Sequence, residues 1–69
     1  MRMVPVVSSN VRAVGYEASS RVLRVAFHSG RTYEYQGVPI HLYEAMLHPH
    51  PWRRIGRQVQ SYPYRRVAA

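Results

Sequence analysis

A chain of 69 residues makes one small domain, 1–69, with no room for a second, and such a domain buries only about 60% of the surface that its unfolded chain exposes. Its 46% apolar content, with one tryptophan, six tyrosines and one phenylalanine, is too hydrophobic for the disordered class despite a net charge of +7. The absence of cysteine excludes a disulfide framework, a thiolate nucleophile and a cysteine-ligated metal.

All ten cations are arginine, and only Glu17, Glu34 and Glu44 oppose them. That balance favours a polyanionic partner such as nucleic acid or an anionic membrane. The plainer reading is that a small domain simply needs net charge to stay in solution. The opening MRMVPVVSSN has one arginine and a short apolar run, which Ser8, Ser9 and Asn10 end well short of a secretory segment. Nothing later approaches the ~18 to 20 apolar residues of a membrane span, so the expectation is a soluble cytoplasmic protein with no membrane partner.

Three strand-like runs come first. NVRAVGY (Asn10 to Tyr16) is rich in β-branched and aromatic residues, with imperfect alternation and a glycine, Gly15, that suggests a bend or bulge. RVLRVAF (Arg21 to Phe27) alternates better, with Leu23, Val25 and Phe27 on one face and Val22, Arg24 and Ala26 on the other. RTYEY (Arg31 to Tyr35) sets Tyr33 and Tyr35 opposite Thr32 and Glu34. The connections EASS and HSG are short and turn-like, so the runs are expected to pair as an antiparallel meander.

The HSG connection admits two registers. A two-residue loop of Ser29 and Gly30 pairs His28 with Arg31 and puts both tyrosines on the face of Arg24 and Ala26. A three-residue loop, with Gly30 in the left-handed region, pairs Val25 with Tyr33 and puts them on the face of Leu23 and Val25. The second gives the sheet one continuous apolar face, which favours it.

GVP then breaks the strand, and Pro39 suits the first turn of a helix, where a missing amide hydrogen does no harm. IHLYEAML carries Ile40, Tyr43 and Leu47 at helical spacing with Met46 beside them, a stripe expected to lie on the sheet. HPHP stops it, because residues before proline are pushed out of the α region. A second helix is predicted from Pro51 through WRRIGRQVQ, with Trp52, Ile55, Gly56 and Val59 on one side and Arg53, Arg54 and Arg57 on the other. Pro63 blocks its continuation into the tail SYPYRRVAA.

The run of SSN (Ser8 to Asn10), VGY (Val14 to Tyr16), LRVAF (Leu23 to Phe27), Gly30, YEY (Tyr33 to Tyr35) and VP (Val38, Pro39) resembles the KTSC domain. That domain of about sixty residues occurs at the C-terminus of some lysyl-tRNA synthetases and as a small stand-alone bacterial protein. The resemblance extends from about Met3 to Val67. In the second half this family carries a small serine and glycine motif, then an aromatic pair and asparagine. Here HPHPWRRIGR stands in that place, with His50 and Trp52 where serine and glycine are usual, and Ile55 and Gly56 near the aromatic and asparagine. The resemblance implies no established biochemistry, only an RNA-binding role suggested by the synthetase association.

Several constellations bear on function. Arg53, Arg54 and Arg57 on one helix face, with Arg65 and Arg66 beyond and Tyr62 and Tyr64 between, would present phosphate contacts interleaved with aromatic faces. A solvated face on an amphipathic helix is the competing account. Tyr33 and Tyr35, the centre of the family motif, fit core packing better than a stacking platform. Trp52 is read as core because Ile55 and Val59 share its side. His48 and His50 around Pro49, with His41 two turns earlier, make a poor metal site without cysteine or aspartate in the chain. Dispersed glutamates, serines without a relay and the lack of a glycine-rich phosphate loop argue against an enzyme or a cofactor.

The expectation is therefore an α+β domain, an antiparallel three-stranded β-meander followed by two α-helices packed on one face. Its expected role is binding RNA or single-stranded nucleic acid through Arg53, Arg54, Arg57, Tyr62, Tyr64, Arg65 and Arg66, without catalysis. The alternative is a protein-protein interaction module that uses the open sheet face, at Val22, Arg24, Ala26 and His28, or an edge strand.

Overall fold

A computed structural model describes residues 1–67 of the chain. Seven elements follow in order: β1 (Val4–Pro5), β2 (Val11–Glu17), β3 (Val22–Phe27), β4 (Thr32–Tyr35), α1 (Ile40–Met46), α2 (Pro51–Gln60) and β5 (Tyr64–Val67). The α+β class and the two helices are as expected, but the sheet is five-stranded and fully antiparallel, in the order β1-β2-β3-β4-β5. The three-stranded meander is its centre. The two edges escaped notice because β1 has only two residues, one of them proline, and β5 reads as YRRV, a charged tail rather than an alternating strand.

The β3–β4 hairpin settles the two registers left open above. Val25 pairs with Tyr33 and Leu23 with Tyr35, while Gly30 adopts φ +96° and its N–H donates to the Phe27 carbonyl at 3.0 Å. The loop is thus the three-residue type, and both tyrosines lie on the face of Leu23 and Val25. That face holds the core: Val11, Val14, Leu23, Val25 and Tyr35 from the sheet meet Val38, Leu42, Met46 and Val59, all buried. Side chains from both helices belong to this one cluster, so α1 and α2 cover a single face.

Two local expectations are corrected. The bulge in β2 falls between Val11 and Ala13, at Arg12, and not at Gly15. One extra residue there puts Val11 and Val14 on the same face, which is why the run alternates imperfectly. Gly15 has a different task, since a Cβ at that position would stand 2.7 Å from Met3 Sδ and 2.8 Å from the Arg2 carbonyl. The N-terminal segment crosses the outer face of the sheet on bare backbone.

In α1 the buried stripe is Leu42 and Met46, with Tyr43 half-buried, whereas Ile40 and Leu47 are exposed. Pro39 sits just before the helix in an extended conformation (φ −69°, ψ 150°), so the first turn begins one residue later, at Ile40. Tyr16 fixes this junction, its hydroxyl donating to the Val38 carbonyl at 2.6 Å and its ring stacking on Tyr43 at 5.2 Å. The α2 helix spans the predicted residues, preceded by His50 in the left-handed region, whose N–H donates to the Val7 carbonyl at 2.7 Å.

Candidate functional site

Alternation along β5 sends Tyr64 and Arg66 to the helix-covered side of the sheet and Arg65 and Val67 to the outer side. The two sides have different chemistry. On the outer side, residues Gly15, Arg24, Glu34 and Arg65 form one cross-strand row. Glu34 is buried there, 4% exposed, because two guanidinium groups close over it. Arg24 donates to Oε2 through Nε (2.9 Å) and a terminal nitrogen, and Arg65 donates to Oε1 through Nε and a terminal nitrogen (3.1 and 2.9 Å). These hydrogen bonds, from Arg24 first and Arg65 second, hold the Glu34 carboxyl below its ordinary range although burial opposes them.

On the helix side, the sheet beyond the core is left as an open cleft of about 480 Å³. Phe27, Tyr33, Tyr35 and Tyr64 line it from the sheet, Trp52 and Gln60 from α2, and Ser29 and Arg31 from the hairpin. Its rings touch in series: Phe27 meets Trp52 at 5.0 Å and Tyr33 at 5.9 Å, and Tyr64 meets Tyr33 at 5.6 Å and Tyr35 at 5.7 Å. Tyr35 is buried at the base, and burial, reinforced by Tyr33 and Tyr64, raises its hydroxyl above the ordinary tyrosine range. Tyr64 is 61% exposed. Trp52 lies flat over the next turn of its helix, where a Cβ on Gly56 would approach its ring to 2.9 Å.

The predicted site residues are divided by this arrangement. Arg53 and Arg57 are exposed on α2, where a 100° step per residue places them on the flank adjoining Gln60 and hence the cleft. Arg66 is exposed and registers opposite Tyr33, on the cleft side. Arg54 instead turns to the end of α1, donating to the carbonyls of Ala45 (2.8 Å), Pro49 (3.3 Å) and His48 (3.4 Å). Arg65 is held by Glu34 on the other face, and Tyr62 packs against the core. Tyr64 joins Tyr33 and Tyr35, so the family motif is both core and cleft floor.

Trp52, Phe27, Arg31 and Gln60 escaped the sequence reading as site residues. What the tail did signal was its strand, since Tyr64 and Arg66 share a two-residue period. Of the open-face candidates, Ala26 is buried, Arg24 is occupied by Glu34, Val22 is half-buried, and exposed His28 reaches the Ser8 carbonyl at 3.0 Å. Among the described residues, no three metal-ligating side chains come together, and no helix is long and apolar enough to cross a membrane.

The fold and cleft define a small basic α+β module with an open aromatic surface. The KTSC domain model matches residues 7–50, and the chain belongs to the KTSC domain family. An uncharacterised protein from Stutzerimonas stutzeri (strain A1501) is 36% identical over 70 residues, covering 97% of this chain and 99% of that protein. The crystal structure of a KTSC domain protein from Yersinia pestis is similar with a TM-score of 0.88 at 25% identity, over 97% of each chain.

Proposed function

We propose that this KTSC domain is a non-catalytic binding module for RNA or single-stranded nucleic acid. One observation supports the reading above others: an open aromatic cleft is adjoined by exposed arginines, Arg31, Arg53, Arg57 and Arg66, that have no carboxylate within 4.0 Å among the described residues. Arginine pairs with phosphate oxygens through a planar fork and also stacks on bases, so this combination suits a strand whose bases are unpaired. Arg54 and Arg65 have structural partners and are left out of the contact set.

The test is fluorescence anisotropy of a labelled single-stranded RNA at two salt concentrations, with duplex DNA as competitor. Binding should weaken steeply with salt, and each phosphate contact contributes a slope of about 0.7. Replacing Arg53 and Arg57 with glutamine should weaken binding across all sequences and lower that slope by roughly 1.4, without loss of fold. No binding at low salt, or a variant that binds as the parent does, refutes the reading.

A further inference from the structure

We infer that the cleft between β4, β5 and the Trp52 side of α2 is a stacking pocket for one or two unpaired nucleobases. This deepens the nucleic-acid reading and rests on it: the arginines supply charge, and the cleft selects strands whose base faces are free.

Ring geometry carries the inference. Tyr16 and Tyr43, beside the core, lie nearly parallel, 15° apart, so each covers one face of the other. In the cleft the rings meet edge to face, at 81° for Phe27 with Trp52, 75° for Phe27 with Tyr33 and 78° for Tyr33 with Tyr64, or tilted, at 42° for Tyr35 with Tyr64. An edge-to-face contact uses the face of only one ring and leaves others open to a flat ligand. Tyr64 is also not a loose tail residue. Its strand is registered against β4, and the Gln36 N–H donates to the Pro63 carbonyl at 2.7 Å just before it. An exposed ring held in place loses little conformational freedom when a base stacks on it.

The rim fits the same ligand. Gln60 and Ser29 supply the donors and acceptors that base edges require, and Arg31 and Arg66 supply charge at the phosphate level. Aromatic clefts also take proline-rich peptides, but a basic rim favours a phosphodiester strand over an uncharged peptide. The carboxylate closest in the chain, Glu34, faces the opposite side of the sheet and is neutralised there by Arg24 and Arg65. Paired bases in a duplex present only their edges, so the pocket discriminates against duplexes.

Trp52 is the chain's single tryptophan and lines the cleft, so it reports on stacking directly. The full chain would be titrated at low salt with an oligoadenylate and with an abasic phosphodiester oligomer of equal length. The oligoadenylate should quench Trp52 and bind roughly 5- to 100-fold more tightly than the abasic oligomer, which leaves the fluorescence unchanged. Tyr64→Ala should abolish most of that difference, and Tyr64→Phe, which keeps the ring, should retain it. Equal affinity for both oligomers, with Tyr64→Ala inert, overturns the pocket while leaving phosphate binding intact. Failure to bind either oligomer overturns the nucleic-acid reading itself. Binding of a proline-rich peptide in place of either oligomer overturns both.

Discussion

Glu34→Gln is the most informative single change, because it removes one negative charge and almost nothing else. In the parent, four guanidinium hydrogen bonds converge on the carboxylate from two strands. Removing one partner of a deeply buried pair costs about 3–5 kcal/mol, whereas an exposed pair contributes about 0–1 kcal/mol. This cluster lies between those limits. The Glu34 side chain is 6% exposed, but those of Arg24 and Arg65 are 32% and 72% exposed, so water screens the charges and can solvate the arginines left behind. A loss of about 2 kcal/mol follows, which for a domain of this size lowers the melting temperature by roughly 8–16 °C. Arg65→Ala, which leaves the Arg24 pair in place, should lose no more than about 1 kcal/mol, and the two changes combined should fall short of their sum.

The same argument fixes a pH dependence. The folded state holds this carboxyl below its ordinary value of 4.5, so the clamp stabilises the fold in full above that value and is lost as pH falls through the lower folded pKa. Urea unfolding followed by Trp52 fluorescence at pH 7 and at about pH 2.5 should show a wide gap between parent and Glu34→Gln in the first case and a narrow one in the second. Equal stability at pH 7, or a gap that persists undiminished in acid, refutes the account of Glu34 as an ionised bridge.

Two further changes separate structural roles from binding roles. Arg54→Ala removes a side chain that donates to three carbonyls at the junction of α1 and α2, so it should lower stability by about 1 kcal/mol in urea titrations and leave the salt slope of RNA binding unchanged. Gly56→Ala gains about 1 kcal/mol of helix propensity in isolation, but its methyl group would stand 2.9 Å from the Trp52 ring. The ring must move, so the variant should shift the tryptophan emission and unfold at lower denaturant; an unchanged spectrum with a gain in stability would show that Trp52 does not lie on Gly56.

What the sequence discloses follows the strength of local signals. Leu23, Val25, Tyr33 and Tyr35 were legible because alternation and one glycine turn together choose the register that makes a single apolar face. The α2 boundaries were legible from Pro51 at the start and Pro63 beyond the end. The orientation of α1 was not, since Ile40, Leu42, Tyr43, Met46 and Leu47 offer more apolar positions than a seven-residue helix can bury, and the entry angle at Pro39 chooses among them. The cleft was invisible for a related reason. Trp52 shares a helix side with Ile55 and Val59 and packs against the core as they do, and no local pattern shows that it is left half-buried at the core's margin, where it also lines the cleft. The fates of Arg54 and Arg65 depend on carbonyls and a carboxylate distant in the chain, which a run of arginines does not reveal.

The two faces of β5 explain why a domain this small keeps a buried charge. Three of the four residues of this strand, Tyr64, Arg65 and Arg66, are exposed, so it gains little from burial. Leaving Tyr64 uncovered forgoes apolar burial in a domain whose core is already small. The strand therefore depends on its backbone ladder with β4 and on Arg65 reaching across to Glu34. Because successive side chains point to opposite sides, the residue that anchors the strand on the outer face lies between the two, Tyr64 and Arg66, that face the cleft. A hydrophobic anchor on the outer face would need cover from another element there, and the N-terminal segment occupies the ground at Gly15. A charged clamp needs no such cover, so the wall of the cleft is held in place from the other side of the sheet.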